Sequence, residues 1–134
     1  MCAQSSTHSD QANGAWPFSS ALCVSTSKGK LMKFNHVGIP TTERFEGEID
    51  LPHLKMTVSD HENNPYGIQW QRYWEDAPYP DLVKSISHVA FVVEDIQSEL
   101  VGKNVIIEPN SPSEGLIVAF IEVNGAPVEL MEFK

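Results

Sequence analysis

The sequence predicts an α+β fold made of two βαβββ modules in tandem, the first of them shortened. Two observations point there. One is an internal repeat, in which Phe34-Asn35-His36-Val37-Gly38-Ile39 is answered by Ile86-Ser87-His88-Val89-Ala90-Phe91, with the two histidines 52 residues apart. Each segment runs apolar, small polar, His, Val, small, apolar. A second echo follows each of them: Ile68-Gln69-Trp70-Gln71-Arg72-Tyr73 parallels Val128-Glu129-Leu130-Met131-Glu132-Phe133. The other observation is the punctuation of the second half, which spells strand, helix and three strands.

That second half, about residues 84–134, is the clearer module. Ile86 to Val93 is β-branched and apolar, which suits a strand. Asp95 can cap a short helix through Ile96, Leu100 and Val101, and Gly102 stops it. A brief strand from Val105 to Ile107 ends before Pro109, and Ser111-Pro112-Ser113-Glu114-Gly115 reads as a loop. Strands from Leu116 to Val123 and from Val128 to Phe133 flank Asn124-Gly125, a strong hairpin signal. The first module, about residues 32–80, fits strands at Lys33–Ile39, Leu54–Ser59 and Gly67–Trp74. Between Thr41 and Pro52 the interruptions at Gly47 and Pro52 leave at most a turn where the second module has its helix. Ala77-Pro78-Tyr79-Pro80 links the halves.

Bulk properties exclude several function classes. Among the 134 residues, 18 acidic side chains face 9 basic ones, for a formal charge of -9. No basic patch exists to meet a nucleic-acid backbone or an anionic membrane. Such an acidic surface would also mildly repel anionic substrates such as acyl-CoA esters, unless a local basic group near the site overrides it. A hydrophobic fraction of 41% suffices for a core. Cys2 and Cys23 lie outside the patterned region, so no disulfide framework is expected, and a reduced, cytoplasmic setting is. Residues 1–31 are polar and without period, and are read as a flexible tail preceding a single domain at 32–134.

Chemistry enters through misplaced polar groups. Side chains alternate faces along a strand. Glu129 therefore shares a face with Met131 and Phe133, His36 with Phe34 and Gly38, and His88 with Ile86, Ala90 and Val92. A carboxylate or imidazole in apolar company is costly unless partnered. Three such anomalies at matching places in a duplicated unit suggest convergence on one centre. Gln69 stands where Glu129 does in the other half. Gln71 lies on the same face two residues on, and the register favours Gln69.

This pattern resembles the vicinal-oxygen-chelate superfamily, which includes glyoxalase I, methylmalonyl-CoA epimerase, extradiol dioxygenases and fosfomycin- or bleomycin-resistance proteins. The resemblance covers roughly residues 33–134, strongest from Ser87 to Phe133. It implies a curved, cup-shaped mixed sheet of glyoxalase-like type. It also implies one divalent ion (Zn, Ni, Co, Mn or Fe) held by His36, Gln69, His88 and Glu129, an order most similar to methylmalonyl-CoA epimerases and glyoxalase I. The implied reaction is proton transfer next to a carbonyl through a metal-chelated enediolate or enolate, with Glu129 as the catalytic base. A small-molecule carbonyl ligand is the expected partner. A homodimer is also expected, with apolar surface around Trp70 and Trp74 as its contact. The competing reading is a non-catalytic, resistance-type binding protein. An extradiol dioxygenase is disfavoured, since two His and one Glu suffice there and Gln69 is surplus.

Other polar residues are read as bland. Asp60-His61-Glu62 precedes the turn marked by Asn63-Asn64-Pro65 and is expected to be a solvated loop. His53 and His8 have no partner in the pattern. Trp70, Trp74, Tyr73 and Tyr79 are candidates to line a pocket, although alternating aromatics on a strand are more often core or interface.

Overall fold

Eight strands join in one curled, half-barrel mixed sheet in the computed structural model, which describes residues 32–134. The expected tail, residues 1–31, lies outside the described residues. In chain order the strands are β1 (Lys33–Pro40), β2 (Ile49–Leu51), β3 (Met56–Val58), β4 (Ile68–Tyr73), β5 (His88–Val92), β6 (Asn104–Ser113), β7 (Leu116–Val123) and β8 (Ala126–Phe133). Their order across the sheet is β2-β3-β4-β1-β5-β8-β7-β6. Each half thus places its first strand innermost, pairs it in parallel with its fourth, and sends its second to the outer edge.

Antiparallel pairing of β1 with β5 forms the central seam, and its register explains the repeat. His36 lies opposite Ala90, and Gly38 lies opposite His88. Directly opposed side chains on one face of an antiparallel pair compete for the same space. The small residue two places after each histidine is what clears room for the other half's imidazole. Flanking strands keep the relation: Gly38 pairs with Gln69 on β4, and Ala90 with Glu129 on β8. Gln69 therefore stands to Gly38 as Glu129 stands to Ala90.

One face assignment differs from the alternation expected along β1. The register slips between Phe34 and His36, so Phe34 pairs with Phe91 while His36 pairs with Ala90. A β-bulge at Asn35 of this kind reverses the facing of everything before it. Phe34 consequently sits 49% exposed on the face away from His36, not beside it.

Elsewhere the structure adds elements. β2 was not expected, and β3 is shorter than the 54–59 strand. A five-residue helix, α1 (Asp81–Ser85), follows the Pro-rich link. The stretch from 41 to 48 holds only bends and a turn, tied back to the sheet where Arg72 Nη2 donates to Glu48 Oε1 at 3.2 Å. The expected helix of the second half is a single turn, α2 (Ile96–Glu99). Asp95 caps it by accepting from the Gln97 amide at 3.1 Å, and Glu132 Oε1 accepts from the Ile96 amide at 2.9 Å. Helix content is accordingly slight. β6 runs through Pro109 and Pro112, where a loop was expected. It is the outermost strand with three breaks of register, and proline is tolerated on an edge strand at such breaks. Asn124 and Gly125, at φ 51 and 83, make the two-residue hairpin turn between β7 and β8.

Burial divides the sheet by face. Leu130, 1% exposed, packs on the side where α2 lies against β7 and β8. The neighbouring Glu129 and Met131 turn to the other side, the inside of the curl. There His53 Nε2, just after β2, meets the Pro112 carbonyl of β6 at 3.2 Å, so opposite edges of the sheet touch. Of the two tryptophans expected at a contact surface, Trp70 is 38% exposed, while Trp74 is half-buried with its Nε1 donating to Thr57 Oγ1 at 3.0 Å. No helix of the described residues is long and apolar enough to cross a membrane.

Candidate metal centre

The central seam carries His36 on β1 and His88 on β5, and β8 adds Glu129. The three are 4%, 1% and 9% exposed, and their ligating atoms all lie within 4.8 Å of one another. Glu129 Oε1 is 3.0 Å from His88 Nε2 and 3.4 Å from His36 Nε2. The imidazoles stand nearly perpendicular, with ring centroids 5.6 Å apart. Among the described residues this buried His36-His88-Glu129 group can hold a metal ion.

Hydrogen bonding around the histidines tests that fit. The bulge at Asn35 brings two adjacent side chains to the same side, and Asn35 Oδ1 lies 2.7 Å from His36 Nδ1. An amide oxygen only accepts, so Nδ1 carries a proton, and in the neutral ring Nε2 keeps its lone pair. That Nε2 is buried with no hydrogen-bond partner. It faces a carboxylate oxygen 3.4 Å away, a contact that a cation between them, or a proton on Nε2, makes favourable. His88 is held by Glu129 and by the edge of the Phe120 ring, 5.0 Å away, and its Nδ1 is likewise buried without a partner.

Electrostatics favour a charged carboxylate. Burial alone pushes the Glu129 carboxyl up, but His36 and His88 against it outweigh burial and bring it down to about 2. A carboxyl depressed in this way is ionised across the neutral range, and its contribution to stability is present above its ordinary 4.5 and lost as pH falls toward about 2. Such a group binds a cation readily and accepts a proton reluctantly.

Gln69 lines the same cavity, and Gln71 beside it is 4% exposed. Tyr73 Oη donates to Gln71 Oε1 at 2.9 Å, and Gln71 Nε2 donates to Gln69 Oε1 at 2.7 Å. Gln71 thus orients Gln69 rather than competing with it. Burial first, then the nearby charge of Glu129, hold the Tyr73 phenol far above its ordinary value and hence neutral.

Sequence reasoning missed His61. Asp60 caps the 61–63 turn by accepting from the Glu62 amide at 3.0 Å, and this aims the His61 ring inward, 4.6 Å from the His36 ring. Burial, then the neighbouring His36, lower its proton affinity. No periodicity marks a side chain on a turn, and the flanking acids read as solvent-facing. Tyr73 and Tyr79 take the pocket-lining role, the less usual of the two weighed for the aromatics, and His53 lines the cavity as well.

The cavity inside the curl is about 400 Å³, with His36, Gln69 and Glu129 in its wall. His88 lies behind that wall. The chain matches no protein-family model and no curated protein. Solved structures do match. One, a hypothetical protein from Bacillus halodurans, superposes with a TM-score of 0.57 at 22% identity, over 77% of this chain and 95% of that one. At that identity the likeness concerns the fold.

Proposed function

We propose that this chain is a metal-dependent protein of the vicinal-oxygen-chelate type that catalyses proton transfer next to a carbonyl group. The observation that carries the reading is the buried His36-His88-Glu129 group at the head of a cavity, with one imidazole nitrogen left facing a carboxylate. The strand order supports a tandem βαβββ origin, since each half repeats the same arrangement around a shared seam. The first half has a turn in place of the helix.

His36 and His88 would supply two imidazole nitrogens, Glu129 a carboxylate oxygen and Gln69 an amide oxygen. A divalent ion there would act as a Lewis acid, stabilising negative charge that develops beside a carbonyl. Asn35 keeps the His36 tautomer with Nε2 free, and Gln71 holds the Gln69 amide. Glu129 is the group placed to take a proton, and Tyr73, neutral and buried, is a hydrogen-bond donor at the same end. The apolar remainder of the cavity keeps water from the reacting carbon.

A second reading is sequestration without turnover, which a ligand-sized cavity beside the centre serves equally well. Proton exchange separates the two. In D₂O the enzyme should wash deuterium into the methylene of 2-hydroxyacetophenone, followed by proton NMR, and a sequestering protein should not.

The metal assignment has its own test. Protein purified without chelator should carry about one divalent ion per chain by elemental analysis. Stripping and then restoring zinc to about 100 times its dissociation constant should raise stability by about 2.7 kcal/mol in thermal melts. Absence of bound ion together with an unmoved melt would remove the metal from the reading.

A further inference from the structure

We infer that the ligand of this cavity is an uncharged, largely apolar molecule, and that phosphate- or carboxylate-bearing carriers are rejected. The inference rests on the metal reading above and deepens it. Beside the polar residues of the metal centre, the cavity is lined by Met56, Val58, Ile107, Val118, Phe120 and Met131. A lining in which apolar side chains predominate selects a ligand with a largely apolar surface.

Charge decides what that ligand lacks. Among the described residues, neither lysine nor arginine lines the cavity. Five of the described cations have partners elsewhere. Arg72 and Arg44 hold Glu48, Lys55 holds Asp76, Lys134 holds Glu132, and Lys84 donates to the Ala77 carbonyl. At the rim, exposed His53, Asn110 and Ser113 offer no permanently charged donor. An anion entering would give up its hydration and meet no counter-charge except the ion itself, already partly neutralised by Glu129. The formal charge of -9 opposes its approach as well.

Size agrees. At about 30 Å³ per water-sized group, a cavity of this volume takes roughly a dozen non-hydrogen atoms. A nucleotide-bearing carrier exceeds that several-fold.

Two catechols that share their chelating oxygens and differ at the far end make the test: 4-ethylcatechol and 3,4-dihydroxybenzenesulfonate. Each is titrated calorimetrically into the zinc-loaded full-length chain, after zinc uptake has been measured and with each probe's affinity for free zinc subtracted. The expected result is binding of 4-ethylcatechol roughly 100-fold tighter than the sulfonate. In Ile107→Lys, which puts an ammonium at a half-buried edge-strand position, the ratio should fall by about tenfold or more. Equal affinities on a zinc-loaded protein overturn the inference and leave the metal reading standing, and so does failure of both probes to bind. Failure to take up zinc appears in the preceding measurement, and removes the metal reading and this inference with it.

Discussion

Gly38→Ala is expected to empty the metal centre as completely as the double substitution His36→Ala/His88→Ala, although it removes no donor atom. A β-carbon at position 38 would come within 2.3 Å of His88 Cε1, 2.6 Å of His88 Nε2 and 2.9 Å of Gln71 Nε2. The ring cannot swing aside, because Glu129 holds its Nε2 and the Phe120 ring stands against its face or edge on the far side. Overpacking of a buried site destabilises by about 1–3 kcal/mol, and the strain falls directly on a donor and on the glutamine that orients Gln69. Ala90→Gly is the matched control. It enlarges the space opposite His36, should lower stability by about 1 kcal/mol, and should keep the metal. Melting temperature and metal content of the two variants side by side check this, and a Gly38→Ala protein that holds zinc with wild-type affinity would falsify the seam geometry.

Glu129→Gln should separate holding the ion from using it. The substitution keeps an oxygen and the shape but removes the only carboxylate of the buried group. Unit charges 4 Å apart interact by about 4 kcal/mol at an effective dielectric constant of 20, so metal affinity should fall on the order of 10³-fold. At saturating zinc the variant still loads. Deuterium exchange into 2-hydroxyacetophenone should nonetheless drop by about 10²- to 10⁴-fold, the range of a lost general base. If the loaded variant exchanges at the wild-type rate, Glu129 is a ligand and not the base. If it also binds zinc as tightly as wild type, neither role survives.

Much of this candidate centre was legible because the chain states one pattern twice. His36 and His88 each precede a small residue by two positions, and only the antiparallel seam reveals that each gap houses the other's ring. Glu129 announced itself as a charge among apolar neighbours, and Gln69 as its counterpart, a correspondence the register of β1 with β4 reproduces. What was not legible depends on local exceptions to period two. The bulge at Asn35 cannot be read from alternation, since one extra residue leaves composition unchanged while reversing a face. His61 and β2 belong to short, turn-bounded segments, where burial comes from tertiary neighbours and not from pattern. The prolines of β6 misled for a related reason, because their tolerance depends on that strand being outermost.

The touch between His53 and Pro112 has a mechanical meaning. Eight strands in a row act as leaves hinged in series, and the two lips are the free ends of that series. Neighbouring strands are rotated by about 20–25°, so a change of a degree or two at every hinge adds up at the lips. The donors sit at the middle of the series, where the same change moves them least. Among the described residues, the hydrogen bond across the lips is solvent-exposed and worth about 0.5–1.5 kcal/mol. Loosening it would widen the aperture while changing the separation of His36, His88 and Glu129 least. Selection by shape and coordination at the candidate centre would then be adjustable independently.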